Sequence, residues 1–379
     1  LLIKNIKVNL YLVLIIVILS FISLSSPVSD WDGRSIWLFN AKRIFYNSHL
    51  FEYTSYHGSE FSHLDYPIMV QTLSASLASM IGHWNEIFPK YSNLIISLPA
   101  LLIISKVIKN KLEKLFLLIL IFFIFEKRII SGEMDALLAL YSCASLILLV
   151  EFSELKNLNF SNFIKLFLYL MTLTMIKVEG LAIFICISIS YLLFYYKKNI
   201  KVGNQIILVF LSSLIPLILW KLYIYDKNII SSSSLMLSNG ERFFENFLNF
   251  KFQLVLLKEI FLNKQMFVSI SILFLSLYKF IYINKFKPEI LIDRILLKKN
   301  LIFTIFVVLS YFTILLCVFI ASEGSPNNIQ GIQYFMTVTS SDRLFLPIHS
   351  MLILLSIYLN QEKAYHEKKF KKYKSPNKN

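Results

Sequence analysis

The chain has 379 residues, of which 56% are hydrophobic and only 16% charged, with 34 Phe, a net charge of +15 and a mean hydropathy of +0.65. Such a composition excludes a soluble globular domain and predicts an all-α polytopic membrane protein, with membrane lipids rather than nucleic acid around it. The three cysteines (Cys143, Cys186, Cys317) all lie inside apolar runs, which argues against a disulfide framework or a thiolate metal site.

The first apolar run, 8–26, is too long for a removed signal peptide and lacks its small-residue cleavage site; the chain opens on Leu, which leaves the natural start undefined. Residues 30–67 follow, with five acids (Asp30, Asp32, Glu52, Glu60, Asp65) in a basic protein. From Ser35 the spacing is helical: Trp37, Leu38, Ala41, Ile44 and Phe45 share one face, and Asp32, Ser35, Lys42 and Arg43 project from the other. A helix of this kind lies flat at a membrane surface, which places Asp32 at the water–lipid boundary. An ordinary connecting loop with solvated carboxylates would carry the same acids.

Further apolar runs span 91–108, 115–130, 135–151, 163–176, 178–196, 204–225, 265–284, 301–321 and 344–360, giving about ten transmembrane helices. The run 68–82 is short and polar, with Gln71, Thr72, Ser74, Ser76 and Ser79, and Pro67 suits the first turn of a helix. The bias of Lys and Arg toward the cytoplasm decides its placement. With 68–82 as a second surface helix, the Lys-rich connections around Lys109, Lys156, Lys198 and Lys298 and the Lys-rich tail all fall inside. The organisation expected is one membrane domain, 1–360, whose outer loop 28–90 carries surface helices, and a basic cytoplasmic tail, 361–379.

In this topology, ionisable residues pressed against apolar runs gather on the outer side. Asp32 follows the first span and Asp65 opens the second surface helix. Glu133 and Asp135 occupy the turn SGEMD, Lys177 and Glu179 the turn KVEG, and Asp342 and Arg343 precede the last span. Charges at membrane depth cost a few kcal/mol each unless paired or used, so their convergence marks a candidate site. Charges at helix ends that only snorkel and fix topology are the competing explanation.

The ordered motifs WDGRSIW, HLDYP, GEMDALLAL, MIKVEGLAIF and TSSDRLFLP resemble those of the polytopic glycosyltransferases (GT-C type) that use a polyprenyl-phosphate sugar. Within that superfamily the protein O-mannosyltransferase and lipid A aminoarabinose transferase branches are the most similar. The resemblance covers about residues 28 to 350 in short scattered pieces. It implies transfer of a hexosyl or pentosyl group, with inversion, to a glycan, lipid or protein acceptor at the outer face of a bacterial inner membrane. Many members carry a soluble domain after the last span, where this sequence has a Lys-rich tail.

The chemistry maps onto the residues as follows. A base must take the acceptor's proton, and Asp32 lies beside the surface where an acceptor arrives. The leaving polyprenyl phosphate gains negative charge, which Arg343 meets with two parallel hydrogen bonds and Lys177 with a point charge. Glu179 pairs with Lys177. Asp135 and Glu133, with Asp65 in support, bind either the sugar hydroxyls or a divalent cation, Mg²⁺ or Mn²⁺. Four histidines (His49, His57, His63, His83) fall in 28–90 without zinc spacing and read as solvated or satisfied. The aromatic stretch around Phe243, Phe244 and Phe247 reads as a third surface helix that either covers the donor lipid or only anchors the chain.

Two other functions compete. A transporter or lipid flippase would place ionisable residues near the middle of spans and often show an internal repeat, and the sequence has neither. A non-catalytic assembly protein would have no need of convergent acids.

Overall fold

The computed structural model of the protein describes residues 10–25, 27–28, 30–47, 63–229, 240–285, 292–321 and 341–374. Among these residues every regular element is helical. The expected features at His49, Glu52, His57, Glu60 and residues 231–239 lie outside the described residues.

The helices are α1 (Leu10–Leu24), α2 (Leu38–Asn47), α3 (Met69–Ile81), α4 (Ser92–Val107), α5 (Lys111–Leu118), α6 (Asp135–Ser153), α7 (Phe160–Ile176), α8 (Glu179–Phe194), α9 (Ile200–Ser213) and α10 (Ile215–Asp226). They continue with α11 (Gly240–Leu248), α12 (Phe250–Leu262), α13 (Lys264–Lys285), α14 (Ile292–Ala321), α15 (Ser341–Leu344) and α16 (Leu346–Lys374). Each apolar run is covered by helix. Five helical stretches, Pro89–Val107, Asp135–Ser153, Glu179–Lys198, Ile200–Asp226 and Lys299–Ile320, are long and apolar enough to cross a membrane. The chain is a multi-pass membrane protein. α16 runs unbroken past residue 360, so the basic tail begins as a continuation of a helix.

The run 115–130 departs from a single α-helix. α5 passes into a π-helical segment, Ile119–Ile124, and then a 3-10 turn, Glu126–Ile129, which tightens the chain before the SGEMD turn. α3 has only 13 residues, too few to span a bilayer by itself, and Gly82 ends it in the left-handed conformation at φ 84°. Its first residue is Met69 with Ile68 as N-cap, so Pro67 stands just before the helix rather than in its first turn.

The polar face expected for α2 needs a correction. Gly33–Trp37 forms a π turn, with five rather than four residues between bonded groups, so the 100° projection does not carry through it. Within α2 itself, Arg43 is buried, alongside Asn40 and Ala41, while Lys42 stays half-exposed, so the helix is covered on more than its apolar face.

α6 is the hub. It is buried along nearly its whole length and packs against α4, α7, α8 and α16, with α14 bridging α8 and α16. Its two ends differ in kind. At the Lys-rich connections, Asn110, Asn159 and Asn199 cap α5, α7 and α9 through their side chains. At the other end α6 and α8 start from Met134 and Val178, which supply no side-chain cap, and carry Asp135 and Glu179 in the first turn instead. Those carboxylates meet the positive ends of the two helix dipoles.

Candidate active site

Four connections meet at the uncapped ends of α6 and α8: the segment after α1, the turn before α6, the turn between α7 and α8, and α15. Glycine allows two of the approaches. A Cβ on Gly33 would fall 2.9 Å from the Ser131 carbonyl oxygen and 2.8 Å from a Val28 methyl, so a side chain there would push the Asp32 segment off the SGEMD turn. In the KVEG turn a Cβ on Gly180 would sit 2.0 Å from the Leu173 carbonyl oxygen, so only glycine lets α8 fold this tightly onto α7. The SGEMD turn is fixed further by Asn93, whose side-chain amide donates to the Glu133 carbonyl at 3.1 Å, and by Gly132 at φ 96°.

These contacts bring six of the seven candidate residues into two charged arms. In the first, the Arg343 guanidinium donates to the Asp32 carboxylate and lies 3.8 Å from Glu133 Oε1, while Arg128 Nε stands 3.5 Å from Glu133 Oε2. In the second, Lys177 Nζ lies 3.0 Å from Asp135 Oδ1 and 3.1 Å from Glu179 Oε1. The Asp135–Lys177 pair is the driest part: their side chains are 4% and 8% exposed, against 14% and 23% for Asp32 and Arg343, while Glu179 at 25% stands at its edge.

Asp65, the seventh, is fully buried one layer away. Its carbonyl accepts from the Trp220 indole at 3.2 Å, which ties the segment before α3 to α10. Beside it the His63 ring stacks on Tyr66 at 4.8 Å, and Tyr66 leans on Trp37 at 5.4 Å.

The titration behaviour follows from burial and pairing. Burial pushes Glu133 up to about 7; Asp135 adds to the rise, and Arg343 offsets only part of it. Burial alone would lower Lys177, but Asp135 and then Glu179 outweigh it and hold the ammonium well above its ordinary value. Arg343 behaves likewise, with burial opposed by Asp135, Asp32 and Glu133. His63 is lowered by burial, against the pull of Asp65 and Asp32.

A divalent cation would need several carboxylates turned to one point. Instead Asp135 turns to Lys177 and Glu133 lies between Arg343 and Arg128, and the described residues contain no group of three His, Cys, Asp or Glu that could hold a metal. What the arrangement offers is a carboxylate beside a guanidinium, with a second cation close by.

Three further residues stand close to these arms. His63, read from the sequence as solvated or satisfied, is satisfied by its stack on Tyr66. Arg128 sits only five residues before Glu133, so its proximity to the SGEMD turn was a usable signal. Asp30, two residues from Asp32, pairs with Lys127.

No family model matches the chain, and no curated protein sequence does. Among solved structures the chain is similar to the crystal structure of ArnT from Cupriavidus metallidurans bound to undecaprenyl phosphate, at a TM-score of 0.55 and 13% identity. The match covers 93% of this chain and 60% of ArnT, so the chain spans less than two thirds of that protein's length. At this identity the likeness is one of fold, and the chain has the helical architecture of ArnT, the lipid A aminoarabinose transferase of the GT-C type.

Proposed function

We propose that this protein transfers a pentosyl or hexosyl group, with inversion, from a polyprenyl-phosphate donor to an acceptor at the outer face of a bacterial inner membrane. The observation that carries the reading is the contact between Asp32 and Arg343. It sets a candidate base against a candidate phosphate clamp, with Lys177 nearby. The ArnT fold, seen there with undecaprenyl phosphate, supports a donor of this class.

In this reading the acceptor oxygen attacks the anomeric carbon while the carbon–oxygen bond to the phosphate breaks. The acceptor proton goes to Asp32 and the bonding pair leaves with the polyprenyl phosphate. A single displacement on the face opposite the leaving group inverts the anomeric centre. Arg343 meets the growing phosphate charge with its planar fork and Lys177 adds a point charge, both in a site that excludes most water. Glu179 and Asp135 orient Lys177. Asp65 supports the loop that closes the site, and no step is routed through a metal.

The ten-span arrangement belongs to the same proposal, with 28–90 outside. A reporter active only in the cytoplasm is expected to work after Lys201, Lys299 or Asn379 and to fail within 28–90 or after Asn239. The activity test uses purified protein and undecaprenyl-phosphate sugars with a radiolabelled sugar, offered with envelope lipids and glycans as acceptors. Label should move to an acceptor with release of undecaprenyl phosphate. No label transfer from any donor, with undecaprenyl phosphate itself failing to bind, would overturn the reading.

A further inference from the structure

Arg128 stands in the 3-10 turn Glu126–Ile129, and the chain bends sharply to put it there. The π-helical segment Ile119–Ile124 comes first, and Glu126 then opens the turn at φ 49°, in the left-handed region that a residue with a Cβ adopts at a cost. The guanidinium held by this turn is poorly served. Its side chain is only 15% exposed, and Nη1 is buried without a hydrogen-bond partner among the described residues. Glu126 Oε2 lies 4.0 Å from Nη1, beyond hydrogen-bond reach.

Glu133 shares the deficit. Arg128 Nε stands 3.5 Å from its Oε2 and Arg343 Nη1 3.8 Å from its Oε1, and Oε2 makes no hydrogen bond among the described residues. One carboxylate thus lies between two guanidinium groups without closing on either. Buried charged donors and acceptors are costly to leave unmet, so an ion pair kept for structure alone would be expected to shut these gaps. An anion with similarly spaced oxygens, more of them and more charge would meet both guanidinium groups, and a phosphate is such an anion.

We infer that Arg128 is a second phosphate ligand: the phosphate of the lipid-linked donor takes the place of the Glu133 carboxylate between Arg128 and Arg343. The inference rests on the proposed transferase reading. The donor phosphodiester brings one negative charge, which one guanidinium balances. When the bond from the anomeric carbon to the bridging oxygen breaks, the electron pair stays on that oxygen and the phosphate becomes a dianion. The second guanidinium therefore acts most strongly in the transition state. Glu133 gives up its place at little cost, because burial pushes its carboxyl up to about 7 and it can leave as the neutral acid.

The test titrates the purified full-length protein at about pH 8 with undecaprenyl phosphate, and with undecaprenol as the probe that lacks phosphate. Arg128→Gln should weaken undecaprenyl phosphate by about 10- to 100-fold, the range for a charge-assisted hydrogen bond, and Arg128→Lys by less. Undecaprenol should bind all variants within about twofold of the parent. Glu133→Gln should tighten undecaprenyl phosphate by about 3- to 10-fold, since a competing charge is lost. Added to Glu133→Gln, Arg128→Gln should still cost about 10-fold or more. Glu126→Gln is the control, expected to stay within about twofold because Glu126 is 51% exposed. Inorganic phosphate should displace the lipid only at large excess.

An affinity for undecaprenyl phosphate in Arg128→Gln within twofold of the parent would overturn the inference. So would an equal loss with undecaprenol, or a loss that vanishes in the Glu133→Gln background, either of which makes Arg128 only the structural partner of Glu133. Inorganic phosphate binding as tightly as the lipid would overturn the assignment to the donor. Failure of the unmodified protein to bind undecaprenyl phosphate is a different result, which removes the transferase reading and the second ligand with it.

Discussion

Arg343 donates to the Asp32 carboxylate across a separation of 311 residues, joining the end of the first apolar helix to the start of the last. The pairing has a chemical consequence. A guanidinium held by a carboxylate is not free for a phosphate. The donor's phosphodiester carries one negative charge, and a second develops on the phosphate only as its bond to the sugar breaks, so the pull on Arg343 away from Asp32 would grow as the acceptor proton has to be taken.

Replacing Arg343 separates charge from geometry. Arg343→Lys keeps the charge and loses the fork, and is expected to lower kcat/KM for the donor by about 10- to 100-fold, because two parallel hydrogen bonds become one. Arg343→Ala should lose more, since Asp32 and Glu133 then lack their shared cation. Size-exclusion profiles of both should match the parent. Normal transfer by Arg343→Ala would move the phosphate clamp to Lys177 or Arg128.

Lys177 is expected to respond differently, because it stands between two acids in the driest part of the site. Lys177→Met leaves Asp135 buried and uncompensated, a loss of about 3–5 kcal/mol, enough to reduce the amount of folded protein. Adding Asp135→Asn should restore thermal stability without restoring transfer. Recovery of transfer in the double variant would show that Lys177 serves only to balance Asp135.

Glu133 ties donor binding to pH. With its carboxyl at about 7, it is neutral below that value and ionised above it. The groups acting on it are Asp135, Arg343, Asp30 and Arg128. Once ionised, it holds Arg343 and repels phosphate, so donor KM is expected to rise as pH passes upward through 7. Glu133→Gln should flatten that rise. The stability sign is separate: the raised carboxyl favours the protonated folded state, so its contribution is present near pH 4.5 and lost as pH climbs to 7. A donor KM that falls with pH in the same range would contradict the assignment.

Much of this site was legible locally. Acids beside apolar runs are costly, and that cost alone pointed to Asp32, Glu133, Asp135 and Glu179 before any packing was known. Helix positions followed from the length of the runs, and the Asn caps at Asn110, Asn159 and Asn199 are ordinary local signals. What periodicity does not encode is which charge meets which. Nothing near Asp32 names Arg343. Arg43 was misplaced because the projection allowed α2 a single packed face, whereas the folded helix is covered on the side of Asn40 and Arg43 as well.

Asp32 is the residue on which the chemistry turns. A base acting in the transition state contributes a factor of about 10² to 10⁴ in rate. Asp32→Asn keeps the shape and an oxygen that still accepts from Arg343, so the arm should stay assembled, but the amide cannot take the acceptor's proton. The expected result is a loss of kcat in that range, with undecaprenyl phosphate binding kept or slightly strengthened, because Arg343 is no longer held by a full negative charge. Asp30→Asn is the matched control. Asp30 pairs with Lys127, whose side chain is 63% exposed, so the change should leave kcat within a few fold. Both variants would be assayed with the same labelled donor, and burst and steady-state phases would separate chemistry from product release. Parent-like kcat in Asp32→Asn would remove it as the base, and a loss confined to Asp30→Asn would move the base two residues upstream.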